Sequence, residues 1–234
     1  MKTLFNLCLT ALLSIAGIFT ASAQSPVIGA WTAANGSDTA VLLVTESYFT
    51  ITTYNAQGVK STLGGTWEGT SDASAALHIE FNTTDSTLVG KRVDADVSFN
   101  GDHFGTTIGG NKTNWSRVDY GNGTLAGLWQ ITGREVNGTM NAMQAGARKT
   151  IKILSGSQFQ WVAINTATGE FFGTGGGSYT FENGVYTEKL AYFSRDNSRV
   201  GSTLQFKGSV NANKWDHSGK SSQGAPIHEE WTRQ

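Results

Sequence analysis

The side chains able to do chemistry crowd into the second half of this 234-residue chain. Trp161, Tyr179, Tyr186, Glu188, Tyr192 and His217 all fall there, followed by His228, Glu229 and Glu230. A carboxylate and an imidazole among tyrosines suit general acid/base work, so Glu188, His217 and Tyr179 are the catalytic candidates. The six aromatic and polar residues from Trp161 to His217 also suit a ligand pocket. Aromatic walls with a few polar groups bind and orient a small, partly apolar molecule. A buried Glu188 needs a partner or a raised pKa, and His217 is a candidate partner. His217 and His228 could be metal ligands, but their eleven-residue separation fits no standard zinc spacing, so no metal or other cofactor is expected.

Other motifs read more plainly as architecture. GTGGGSYTF at 173–181 has the glycines of a phosphate loop, but Tyr179 and Thr180 continue a strand where a helix would be required. Its glycines therefore predict a bend or bulge. Asp216, His217 and Ser218 are consecutive, and neighbours on a strand point to opposite faces, so they form no triad. SRDNSRVGS at 194–202 reads as a solvated hairpin loop; if it rims a pocket mouth, its arginines would receive an anion.

The elements that must position these residues are strands. ESYFTITTY and SQFQWVAIN alternate apolar and polar residues, and NAQG, NTATG, ENG and NGD carry turn chemistry. The alternation puts Phe159, Trp161 and Ala163 on one face, and Tyr186, Glu188, Leu190 and Tyr192 on another shared face. Glu229, Trp231 and Arg233 form a third. The first half is blander, with Thr50, Thr52, Ala73, Ala75 and Ala76 at its expected core positions, and reads as a packed or degenerate copy. TMNAMQAGARK at 139–149 is the only stretch that could make a short helix.

Residues 1–23 read as a secretory signal peptide, with Lys2, an apolar run and the small-residue site Ala21-Ser22-Ala23. Cys8 leaves with it, so the mature chain has no cysteine and must be held by a hydrophobic core. Its formal charge of −1 becomes −2 once Lys2 is removed. No basic stripe invites nucleic acid, and no later segment could cross a membrane as a helix. The expected location is secreted or periplasmic.

The chain is written twice. Gly29-Ala30-Trp31 opens one half and Gly127-Leu128-Trp129 the other. Phe49 matches Phe159, GGTWEG at 64–69 matches GGSYTF at 176–181, and ALHIEFN at 76–82 matches EKLAYFS at 188–194. Gly90 falls on Gly201, Phe104 falls on Trp215, and the halves close on Trp115-x-Arg117 and Trp231-x-Arg233. A repeat of this period means tandem domains. The organisation expected is an N-terminal domain over 24–119, a linker over 120–126 and a C-terminal domain over 127–234. Each holds about eight strands, and closing the sheet into an up-and-down barrel removes its exposed edges.

In these landmarks the chain resembles the calycins, the lipocalin and fatty-acid-binding-protein group, and is similar to lipocalin-like domains of secreted bacterial proteins. The resemblance implies that Trp31 is covered by Arg117, and Trp129 by Arg233, joining the first strand of each barrel to the last. The chain has no lipocalin disulfide, no Thr-Asp-Tyr-type motif and no fatty-acid Arg-x-Tyr motif. The fold class expected is all-β, two tandem lipocalin-like antiparallel barrels. The function expected is binding of a small, partly apolar molecule in the C-terminal barrel. The alternatives are an acid/base enzyme in that barrel and a protein- or glycan-binding surface module.

Overall fold

The computed structural model describes residues 25–100 and 103–234; the leader read over residues 1–23 lies outside them. The protein is all-β, two closed eight-stranded antiparallel barrels in tandem. The first is built from β1 (Gly29–Asn35), β2 (Asp38–Val44), β3 (Tyr48–Asn55), β4 (Gly58–Ser71), β5 (Ser74–Asn82), β6 (Arg92–Asn100), β7 (His103–Ile108) and β8 (Asn111–Asp119). Each strand pairs with the next, and β8 returns to β1. The second contains β9 (Gly127–Val136), β10 (Thr139–Ala142), β11 (Arg148–Leu154), β12 (Gln158–Asn165), β13 (Glu170–Glu182), β14 (Val185–Phe193), β15 (Thr203–Asn211), β16 (Lys214–Lys220) and β17 (Pro226–Arg233). Here β17 closes on β9, and β10 hangs outside the ring, paired only with β9. The 139–149 stretch thus supplies a short edge strand, not a helix. Among the described residues no helix is long and apolar enough to cross a membrane.

The sequence explains the turns and bends. Asn137-Gly138 and Asn183-Gly184 both take positive φ at both positions, as the tight hairpin turn requires. The two glycine doublets sit opposite bulges at Glu80 and Ala191. A Cβ on Gly65 would lie 1.9 Å from the His78 carbonyl oxygen, and one on Gly177 2.0 Å from that of Lys189. The doublet is therefore a steric requirement of the bulge, and no phosphate loop forms.

Both Trp–Arg pairs form. The Arg117 guanidinium carbon lies 3.8 Å from the Trp31 ring centre, and that of Arg233 lies 4.2 Å from Trp129. Each arginine also ties down the chain entering its barrel. Arg117 donates to the carbonyls of Pro26 and Ile28, and Arg233 to those of Thr124 and Ala126. Each indole N–H donates to a carbonyl four residues upstream, Val27 for Trp31 and Leu125 for Trp129. A sheltered guanidinium on an indole contributes about 1–2 kcal/mol, here placed at the seam where the barrel closes.

Three apolar clusters result. One fills part of each lumen, and the third lies between the barrels, where Leu43, Tyr48 and Phe81 meet Leu128, Ile151, Ile153 and Val162. The contact is reciprocal: Phe81 stacks on Phe171, and Tyr192 packs on Tyr54. This third cluster corrects the reading of the first half. Thr50, Thr52 and Ala76 share the strand faces turned away from the first lumen, and Ala73 is exposed in a turn. Thr52 shares a hydrogen bond with Thr62, which accepts one from Gln160 of the other barrel. The inward residues beside them are Phe49, Ile51, Ala75 and Leu77.

Candidate functional site

The two lumens are enclosed by rings of eight strands and differ in chemistry. In the first barrel a cavity of about 510 Å³ is bounded chiefly by Leu42, Val44, Phe49, Ile51, Leu77 and Phe104. The Trp115 indole donates to Thr106 at 2.9 Å, and among the buried side-chain polar atoms of the described lining residues only Arg117 Nε, at the seam, lacks a partner. The first half is therefore not a packed copy, as its small residues had suggested.

In the second barrel a cavity of about 850 Å³ leads down to an ion pair. Lys152 and Glu188, each with a side chain about 5% exposed, lie 2.8 Å apart. Register shows how the repeat was altered to place them. Leu42 pairs with Trp31 as Lys152 pairs with Trp129, and Leu77 pairs with Trp67 as Glu188 pairs with Tyr179. Lysine and glutamate thus stand where the first barrel has two leucines. The same register corrects the alignment of ALHIEFN with EKLAYFS by one residue, which on a strand is a change of face. The Lys152 ammonium sits 4.9 Å from the Tyr186 ring centre and 5.2 Å from those of Trp215 and Trp231. Aromatic faces and one carboxylate together replace the water that this cation has lost.

Around the pair lie polar atoms with no hydrogen-bond partner. They are the indole nitrogens of Trp215 and Trp231 and both nitrogens of His217, while the Tyr186 hydroxyl is directed to Glu188. Buried polar groups are nearly always satisfied, so such a cluster marks a place where water or a ligand is accommodated. Burial holds His217 well below the usual histidine range, and the positive charges of Lys152 and His228 act in the same direction. Burial and the neighbouring Glu188 raise the Tyr186 hydroxyl well above its ordinary value. Both side chains are therefore neutral near pH 7, and each retains hydrogen-bonding capacity.

The six residues picked out from sequence do not all share this space. Trp161, Glu188 and His217 line the cavity, and Tyr186 packs against the His217 ring at its inner end. Tyr179 is inward but faces the closed end, where its hydroxyl donates to the Ser155 carbonyl at 2.7 Å. Tyr192 is out of the lumen altogether. The bulge at Ala191 reverses the alternation, so Tyr192 turns to Tyr54 and Phe193 takes the inward place beside Trp161. The expected partnership of Glu188 with His217 is also replaced. Glu188 pairs with Lys152, and His217 lies 3.7 Å from the Glu229 carboxylate.

Lys152 is the candidate-site residue that sequence reasoning missed. Its signal was present: IKIL matches VLLV, and a lysine there occupies a position whose repeat partner is apolar. The mouth holds a second group. Arg134, Arg148, Arg195, Asp196 and Arg199 all reach it, so the 194–202 loop does rim the cavity. Arg134 pairs with Glu229 at 2.7 Å and Arg199 with Asp196 at 3.0 Å. On the outer wall His228 bridges Glu135 and Asp216 at 2.7 Å each, and these hydrogen bonds, that to Asp216 foremost, raise its pKa.

No protein-family model matches the sequence, and a search of curated proteins returns no match.

Proposed function

We propose that this is a small-molecule-binding protein of lipocalin-like type, and that its ligand occupies the lumen of the second barrel. The observation that carries the reading is the set of unpartnered polar atoms around Lys152 and Glu188 at the end of an open, aromatic-walled cavity. The ligand is a partly apolar molecule with at least one polar group. Its body packs against Trp161, Leu190 and Phe193, and its polar group takes a hydrogen bond from the Trp231 indole. Binding is preferred to acid/base catalysis because Glu188 is neutralised by Lys152, and His217 and Glu188 form no dyad. Location outside the cytoplasm is part of the proposal, resting on the leader-like residues 1–23.

Native mass spectrometry of gently purified protein tests the reading. An organic mass should be present, be released on denaturation, and be absent when Ala163→Trp obstructs the cavity. A carried mass that survives this substitution would place the ligand elsewhere. The largely apolar lumen of the first barrel favours a second and simpler ligand there, one of mainly apolar character.

A further inference from the structure

From the mouth of the second barrel we infer that the ligand carries an anionic group, a carboxylate or a phosphate, held by Arg148 and Arg195. This rests on the lumen-binding reading above. The first barrel supplies an internal control. There Asp38, four residues before Leu42, pairs with Lys60 at 2.8 Å, and Lys60 is the bulged residue between the pairs Thr53–Ser61 and Tyr54–Val59. At the matching places the second barrel has Arg148, four residues before Lys152, and Phe172, bulged between the pairs Ala163–Gly173 and Ile164–Phe171. The acid has become a base, and its partner has become an aromatic ring.

Arg148 stacks over Phe172 with its guanidinium carbon 4.0 Å from the ring centre. Arg195 approaches from the loop after β14. It donates from Nε to the Phe172 carbonyl at 2.9 Å and lies 5.5 Å from the Trp161 ring centre. Gly173 makes room for it, since a Cβ there would lie 2.5 Å from Arg195 Nε. The other two arginines at this mouth have carboxylate partners; Arg148 and Arg195 are held by an aromatic ring and a backbone carbonyl. Their guanidinium edges remain to be used, and two such forks beside aromatic faces recognise a carboxylate or phosphate.

The opening beside them also has a structural cause. In the first barrel β1 pairs with β2 along its whole length. In the second, β9 pairs with β11 only from Gly127 to Gln130 and then turns to β10. Arg148, Lys149 and Thr150 are left without a β9 partner, so Arg148 stands beside a gap in the wall. A ligand held this way has two polar ends, the anion at the mouth and a hydrogen-bonding group at Lys152, with an apolar stretch between.

The test uses two fluorescent probes with one skeleton, the anion 8-anilinonaphthalene-1-sulfonate and neutral N-phenyl-1-naphthylamine. Wild-type protein should bind the sulfonate about tenfold more tightly, and added salt should reduce the difference. The double variant R148Q/R195Q should lose the preference and keep its affinity for the neutral probe, which also shows that it is folded. Competition by octanoate against octyl phosphate then assigns the anion as carboxylate or phosphate. Equal binding of both probes by wild type, or a preference that survives in R148Q/R195Q, overturns the anion inference alone. If neither probe binds, or both bind Ala163→Trp as they bind wild type, the lumen reading fails and the inference falls with it.

Discussion

The two barrels share register, seam and glycine bulges, and they differ in a handful of inward positions. Leu42 and Leu77 in one become Lys152 and Glu188 in the other, and the ion pair Asp38–Lys60 becomes Arg148–Phe172. The conserved set closes the sheet; the variable set decides what the enclosed space can hold. An ion pair in a lumen is poor evidence for stability, because the desolvation of two charges offsets most of their attraction. Its presence in one copy only, surrounded by unpaired donors, is therefore better read as a recognition device than as part of the scaffold.

The largest expected effect comes from breaking that pair. Glu188→Leu strands an ammonium among aromatic rings and should lower the urea-unfolding stability of the second barrel by roughly 3–5 kcal/mol. The double variant K152L/E188L copies the first barrel and should restore most of that loss. It should also lose affinity for polar ligands. A double variant as unstable as the single one would show that the pair is structural.

Next in size are the seams. Arg117→Ala and Arg233→Ala each remove a guanidinium from an indole and its bonds to two carbonyls, and each should cost about 2 kcal/mol. Similar losses in thermal unfolding are expected, because each clamp covers an indole and holds two carbonyls, with the Arg117→Ala loss the larger because Arg117 also stacks on Tyr120. Markedly unequal losses would mean that the repeat is energetically lopsided at its seam as well as in its lumen.

The smallest effects are pH dependences confined to the second barrel. His217 has a lowered folded pKa, so its contribution is full above about pH 6.5 and falls as the pH drops from there toward the folded value. His228 has a raised folded pKa, so its contribution is full below about pH 6.5 and fades as the pH rises through the folded value. His217→Phe should flatten the acid side of the stability profile, and His228→Asn the alkaline side. Unchanged slopes in these variants would contradict the assignments.

Much of this architecture is legible in the sequence because it rests on local rules. Period-two alternation, Asn-Gly turns and twinned Gly-x-Trp and Trp-x-Arg landmarks identify strands, hairpins and the barrel seam. The lumen was only half legible. Alternation grouped Trp161 with Phe159 and Glu188 with Tyr186 and Leu190, but a single bulge at Ala191 moved Tyr192 to the contact between the barrels. Bulges are invisible to a strict period of two, although the glycine doublet opposite them was in plain view. Thr50 and Thr52 misled for a related reason. A strand buried on both faces, by its own lumen and by a second barrel, has no solvent side to reveal which face is inward. The partner of Glu188 was missed because pairing across a barrel depends on register between strands far apart in sequence, here β11 and β14.

The most direct test of the central claim is a titration followed by the indole N–H signals in a ¹⁵N-correlated NMR spectrum. The indoles of Trp31, Trp67, Trp115 and Trp129 donate to acceptors within the protein, whereas those of Trp215 and Trp231 have none. On adding 8-anilinonaphthalene-1-sulfonate the account predicts that the signals of Trp161, Trp215 and Trp231 shift together while those of Trp31 and Trp115 stay in place. Shifts confined to Trp31 and Trp115, or bound probe with the three second-barrel signals unmoved, would contradict it.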